Sequence, residues 1–352
     1  TGEPAVAATV RIYALGDAGK STDERAQALG LLGKVMASEA GESDRVLALL
    51  GNNVYERGVL SSDADLASAE TFYTSLFGLT PWKTVAIVPG NYDHGAFRHG
   101  GFDEKAITAE AAWFRRLRAD VLFPPAADPR TETPWTTLRL PGHEQCLSLH
   151  TTDSQGFREN FLALPAQRTD SAWNLALAHH PTRTAANHMG DRYRDDYASY
   201  DKSLEQMDLL LSAHENVLFA DLEPKGDKRP GPPNIVAGSF ARAQRIKAPE
   251  FTSCAAEQPG FVRLSITGDK LVADFFAFKP GELPSPHPYC TQTIEKPGAS
   301  AGTRASCTTP WGSGKGWESA GCAVPRSSPG TWPEKTWGGT CCSSSRGTNI
   351  RP

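Results

Sequence analysis

Five short segments carry residues that bind cations. They are Gly16-Asp17-Ala18-Gly19, Gly51-Asn52-Asn53-Val54-Tyr55, Gly90-Asn91-Tyr92-Asp93, His179-His180-Pro181 and Ala213-His214-Glu215-Asn216. Carboxylate, amide, phenol and imidazole donors of this kind suit hard or borderline metal ions. Two such ions about 3.5–4 Å apart can clamp a phosphate and generate a hydroxide nucleophile near neutral pH. At that spacing two divalent charges repel by on the order of 20 kcal/mol even at an effective dielectric of about 20. A bridging carboxylate and other anionic ligands must offset that repulsion, so the identity of each donor decides what the cluster can do.

The segments need a frame that brings them together. Apolar runs at 10–15, 46–50 and 85–88 each end just before a segment and read as buried strands. Helical periodicity over 22–40 and 64–77 separates them. This alternation predicts βαβ units in a largely parallel sheet, with each segment in the turn after a strand. Open α/β sheets place their ligands at such turns. Further strands are expected at 146–153, 175–178 and 234–238, and a hairpin from 261–266 and 271–278 around Thr267-Gly268-Asp269-Lys270. Residues 107–119 read as an amphipathic helix, and 201–212 as a helix running into Leu209 to Ser212.

The 352 residues suffice for one large or two modest domains. A net charge of −4 gives no basic field for nucleic acid or an anionic membrane, and no apolar run is long enough for a transmembrane helix. The division falls near 278: a body over 1–278, then an irregular extension over 279–352. Cys290, Cys307, Cys322, Cys341 and Cys342 crowd the extension, with Trp311, Trp317, Trp332 and Trp337. A stretch this rich in Cys, Gly, Pro and Ser is better held by disulfides than by a core, which points to a secreted or luminal protein. Zinc is the weaker alternative, because the stretch has no paired C-x-x-C and one histidine, His287.

Over residues 8–278 the motifs resemble those of the calcineurin-like metallophosphoesterases, and most of all the small tartrate-resistant purple acid phosphatases. That family's pattern is GDxG, GDxxY, GNH, VxxH and GHxH. The resemblance implies a four-layer α/β/β/α sandwich of two mixed sheets. It makes Asp17 the first-metal aspartate, Tyr55 the metal-binding tyrosinate, Asn91 and His179 second-metal ligands, and His214 the first histidine of GHxH. It sets His188 near the substrate phosphate. Three positions depart from the pattern: the bridging aspartate is Asn52, the second histidine of GHxH is Asn216, and the histidine that assists the leaving group is Tyr92. Asn52 brings no charge compensation, and Asn216 is a weaker ligand than imidazole for iron or zinc. Tyr92 offers a phenol, and an unperturbed phenol, with a pKa of about 10, is a poor general acid at acidic pH.

The expectation is therefore a dismantled dinuclear centre holding no metal or one weakly bound divalent ion (iron, zinc or manganese). The protein would be a silent phosphatase-like scaffold or subunit that meets protein partners through its extension or its surface. The alternatives are an active phosphomonoesterase with one metal or unusual ligands, and a binder of phosphate or phosphoesters through His179, His188 and His214. Around the site, Asp93 and His94 read as outer or solvated residues, His94 and His99 also as surface ones, Asp153 as a solvated turn residue or, in the alternative, one that orients the site through hydrogen bonds, and His180 as structural.

Overall fold

The computed structural model describes residues 9–39, 43–95, 103–124, 135–155, 165–182, 186, 198–222, 231–246 and 253–296. His188, His99 and the expected disulfides of the Cys/Trp-rich stretch beyond 296 lie outside the described residues.

Two seven-stranded mixed sheets face each other. The first contains β1 (Val10–Leu15), β2 (Asp44–Leu50), β3 (Thr84–Val88), β4 (Val121–Leu122), β12 (Gly260–Thr267), β13 (Lys270–Ala277) and β14 (Cys290–Glu295). Its order is β14-β13-β12-β1-β2-β3-β4, with β1 to β4 parallel and the β12–β13 hairpin and β14 antiparallel. The second contains β5 (Trp135–Arg139), β6 (Leu147–Thr152), β7 (Trp173–Leu177), β8 (Leu209–Ser212), β9 (Leu218–Asp221), β10 (Asn234–Ala237) and β11 (Cys254–Ala256), in the order β11-β9-β10-β8-β7-β6-β5.

The period of two along each strand explains the layers. Val10, Ile12, Ala14, Val46, Ala48 and Leu50 point inward and meet Leu149, Leu175, Leu177, Leu209 and Leu211 of the facing sheet. Their neighbours Tyr13, Leu15, Leu47, Leu49, Val85 and Ile87 point outward, under α1 (Asp23–Ser38), α2 (Asp63–Phe77) and α3 (Glu104–Leu117). Both faces of the central strands are thus buried, which is why they read as continuous apolar runs. Thr22, Ser62 and Asp103 cap the three helices with side-chain oxygens that accept first-turn N–H groups. On the other side, Tyr200 and Leu204 pack on Ala176, Ala178 and Leu210, with α4 (Ala198–Ser203) covering the outer face of the second sheet.

Two expectations need correction. Leu209–Ser212 is strand β8, not the end of a helix over 201–212, because a four-residue apolar run is too short to separate strand from helix by periodicity. The regular fold also runs past 278, since β14 pairs with β13 from Lys270↔Glu295 to Phe275↔Cys290. Among the described residues no helix is long and apolar enough to cross a membrane.

Candidate metal centre

All five segments converge at the carboxyl ends of β1, β2, β3, β7 and β8, where the two sheets meet. Three site residues hold left-handed backbone: Asp17 (φ 54°), Asn52 (φ 55°) and His214 (φ 64°). Asp and Asn tolerate this region better than most residues, while a histidine there is uncommon. Gly51 (φ 89°) is obligatory for another reason: a Cβ on it would stand 2.5 Å from His179 Nδ1.

Asp93 locks the frame. Its carboxylate accepts from Asn53 N (2.9 Å), Val54 N (3.2 Å) and Gly90 N (2.7 Å), tying the turn after β2 to the turn after β3. Asn53 Nδ2 also donates to Glu110 Oε1 of α3 at 3.1 Å. Asp93 and Glu110 are both fully buried. Burial pushes the Asp93 carboxyl up to about 6, against the hydrogen bonds from Gly90, Asn53 and Val54. Burial, then the neighbouring Asp93 charge, holds Glu110 well above its usual range. His94 and Asp153 are not surface residues: they form a buried pair with Nε2 3.0 Å from the carboxylate.

Around Asp17 the polar groups are donors. Asn52 Oδ1 accepts the Tyr92 backbone N–H at 2.9 Å, which fixes the amide orientation. Asn52 Nδ2 therefore faces inward, donating to Asp17 Oδ1 at 2.7 Å and to Asn91 Oδ1 at 3.2 Å. Tyr55 Oη donates to the same Asp17 oxygen at 3.1 Å. Burial, then the Asp17 charge, holds the Tyr55 phenol well above its usual range. The Tyr92 ring leans on Tyr55 with centroids 4.6 Å apart. Asn216 Oδ1 accepts from Arg242 Nε at 2.7 Å, and the Arg242 guanidinium carbon lies 5.9 Å from the Tyr55 ring centroid. Burial raises the Asp17 carboxyl to about 7, while Asn52, Arg242 and Tyr55 pull it down.

Around His179 three other atoms meet. His179 Nδ1 lies 2.8 Å from the Leu50 carbonyl, so it carries the proton and leaves a lone pair on Nε2. That Nε2 lies 3.0 Å from Asn91 Oδ1 and 3.2 Å from His214 Nδ1, which is itself 3.2 Å from Asn91 Oδ1. Asn52 holds the Asn91 oxygen toward the centre. A neutral His214 with its hydrogen on Nδ1 satisfies the other two atoms by donating to both, and a metal ion would be met by all three lone pairs. His180 adds a third imidazole, its ligand atoms within 4.8 Å of those of His179 and His214, and its Nδ1 lies 2.8 Å from Ser154 Oγ.

The two halves differ in their fit to metal. Around Asp17, the inward groups are an amide N–H, a phenol O–H and an arginine beside one carboxylate, which does not suit a cation. Around His179, the donor set of two imidazoles and an amide oxygen fits one ion of the zinc or manganese kind. Zinc ligands at about 2.0–2.1 Å in tetrahedral array lie about 3.3–3.4 Å apart, a few tenths of an ångström beyond the observed edges.

Residue by residue, Asp17, Asn52, Tyr55, Asn91, Tyr92, His179, His214 and Asn216 come together as the motif spacing implied. Arg242 and Glu110 were not anticipated. Arg242 follows β10 with no motif around it. Glu110 sits on the buried face of an otherwise amphipathic helix, a signal that could have marked it.

No protein-family model and no curated protein matches the chain in sequence. Solved structures do match in shape. GAP50, the anchor in the inner membrane complex of Plasmodium, superposes with a TM-score of 0.55 at 14% identity, over 82% of this chain and 89% of that one. PhoD superposes with a TM-score of 0.52 at 12% identity, over 83% of this chain and 70% of that one. The chain has the two-sheet α/β/β/α fold of the metallophosphoesterases.

Proposed function

We propose that this chain is a phosphoesterase-fold protein of the purple-acid-phosphatase type that assembles no two-metal centre and hydrolyses no phosphate monoester. It works instead as a scaffold or subunit of a larger assembly. The Asn52 amide carries the reading. Its N–H points at Asp17 and Asn91 from the position that the resemblance gives to a bridging carboxylate. Two divalent ions need a negative bridge there to offset on the order of 20 kcal/mol of repulsion, and a donor adds to that repulsion.

Arg242 supports the same conclusion. Held by Asn216, its positive charge favours the ionised form of Asp17, the service a first metal would give. Tyr92, packed on Tyr55, offers a phenol in place of the imidazole that would protonate a leaving group. For the scaffold role, the support is a fold neighbour named as an anchor, together with a Cys/Trp-rich extension that a hydrolase does not require. The cysteine content of that extension favours an extracytoplasmic location.

A second reading rests on the three converging atoms of Asn91, His179 and His214: a phosphomonoesterase with a single divalent ion. An ion there would polarise a phosphoryl oxygen as a Lewis acid. Elemental analysis of the purified chain after loading with manganese, zinc or iron, with p-nitrophenyl phosphate turnover from pH 4 to 8, separates the readings. At most one ion per chain and no turnover above the blank is expected. Two ions with turnover overturn the proposal, and one ion with turnover establishes the second reading.

A further inference from the structure

Two cysteines meet where the edge strands of the two sheets come together. Cys254 opens β11, the outermost strand of the second sheet, and Cys290 opens β14, the outermost strand of the first. Both are thiols, and both belong to the core between the sheets, at 6% and 8% exposure. β11 and β14 pack directly against each other at this junction. Gln292 spans the same junction, with Nε2 donating to the Ser253 carbonyl at 3.1 Å and to Cys290 Sγ at 3.5 Å. Backbone bonds fix the preceding residue on each side: Ser253 N donates to Ala220 O at 2.9 Å, and Tyr289 N to Phe275 O at 2.7 Å.

We propose that Cys254 and Cys290 are a redox pair whose disulfide staples the edge strands of the two sheets together. Two core cysteines on strands that pack together, their junction spanned by one Gln292 amide, need only a local closure to reach the roughly 2.05 Å of an S–S bond. The oxidant is a low-molecular-weight disulfide such as oxidised glutathione. The Cys290 thiolate attacks it, forming a mixed disulfide and releasing one thiol. The Cys254 thiolate then attacks the Cys290 sulfur and releases the second thiol. Two cysteine thiols and one oxidant disulfide become one protein disulfide and two small thiols, each carrying one of the two protons. Cys290 is the better attacker because the Cys254 hydrogen bond holds its thiol below the usual range, against burial.

The staple closes a loop of roughly 35 residues, long enough for cross-linking to constrain the unfolded chain appreciably. It also sets whether β14 is fastened to the second sheet by packing or by a covalent bond. The metal-centre reading does not bear on this pair.

The test uses the full chain, reduced and then equilibrated natively over a series of glutathione redox ratios. Remaining thiols are trapped with N-ethylmaleimide before digestion and mass spectrometry. The expected result is a cross-linked peptide pair joining Cys254 to Cys290, 2 Da below the sum of the reduced peptides, with a Tm higher by several degrees. Cys254→Ser and Cys290→Ser should each remove the Tm increment that oxidation brings. Peptide mapping of the unaltered chain decides the matter even where a serine variant folds poorly. Both cysteines trapped as thiols under the most oxidising ratio, or either one joined to a different cysteine, would overturn the proposal.

Discussion

Around Asp17 the side chains that face the carboxylate are donors, whereas around His179 two lone pairs, on His179 Nε2 and Asn91 Oδ1, face each other. Asn52, Tyr55 and Arg242 supply N–H and O–H groups to the first half, and they account for one oxygen of Asp17 and the carbonyl of Asn216. In the second half His179 Nε2 and Asn91 Oδ1 approach to 3.0 Å with a lone pair on each. The backbone beneath both halves is the same kind of structure, with left-handed residues at Asp17, Asn52 and His214 and one carboxylate, Asp93, clamping two of the turns. Strained backbone of this sort costs about 1–3 kcal/mol per residue and persists where its surroundings over-determine it. One kind of backbone frame therefore carries two different donor sets. A buried hydrogen-bonded network can replace a metal in holding such a frame, provided that donors and acceptors still match.

The largest expected effect follows from rebuilding the first half. Asn52→Asp with Asn216→His restores the bridging carboxylate and the imidazole but leaves Arg242 without its acceptor and still charged. We expect that pair to bind no more than one ion per chain, and the triple variant with Arg242→Ala to bind two, read by elemental analysis after manganese or iron loading. Two ions with Arg242 present would break the claim that the arginine competes with the first metal. Next comes the shared frame. Gly51→Ala drives a Cβ into His179 at φ 89°, costing about 2–4 kcal/mol from left-handed backbone and overlap. At roughly 2–4 °C per kcal/mol this lowers Tm by about 4–16 °C in a melt, with both halves affected. A smaller effect separates them: His179→Ala should weaken zinc or manganese binding by at least the roughly 10–100-fold that loss of a ligand's outer partner costs. Asn216→Ala should leave that binding nearly unchanged in the same calorimetric titration.

How much of this was legible in the sequence depended on the range of the signal. Strands β1, β2 and β3 end in motifs and are buried on both faces, so an unbroken apolar run marked each. Strands β9 and β11 are four and three residues long and lie among turns, and nothing local distinguishes them. Asn52, Asn216 and Tyr92 could be named as departures because the motif fixes their places. Their consequences could not be read in the same way. The direction of the Asn52 amide is set by Tyr92 N, and the Asn216 oxygen is taken by a residue 26 positions away. Arg242 acquires its role only once β8 and β10 lie side by side, as Asn234↔Leu210 pairing requires. Of the two readings that local sequence allows for His94 and Asp153, solvated or hydrogen-bonded beside the site, only their pairing across 59 positions selects the buried one.

The smallest expected effect is a pH dependence, and its sign tests whether buried carboxyls hold the frame common to both halves. Burial raises Asp93 to about 6 from 3.8, and raises Glu110 well above 4.5. For both groups the folded value lies above the unfolded one, so the native state retains protons that the unfolded chain gives up. Their contribution to stability is complete below about pH 4 and is lost as pH rises through 6 and beyond. Tm should therefore fall by a few degrees between pH 5 and pH 8 at constant ionic strength, since one pKa unit is about 1.4 kcal/mol. Glu110→Gln stays neutral and still presents an oxygen to Asn53, so it should flatten that slope. A Tm that rises over the same interval would mean that Asp93 holds the turns as an ordinary carboxylate. The frame would then owe its persistence to charge on Asp93, and the two halves of the site would rest on an anion that neither has lost.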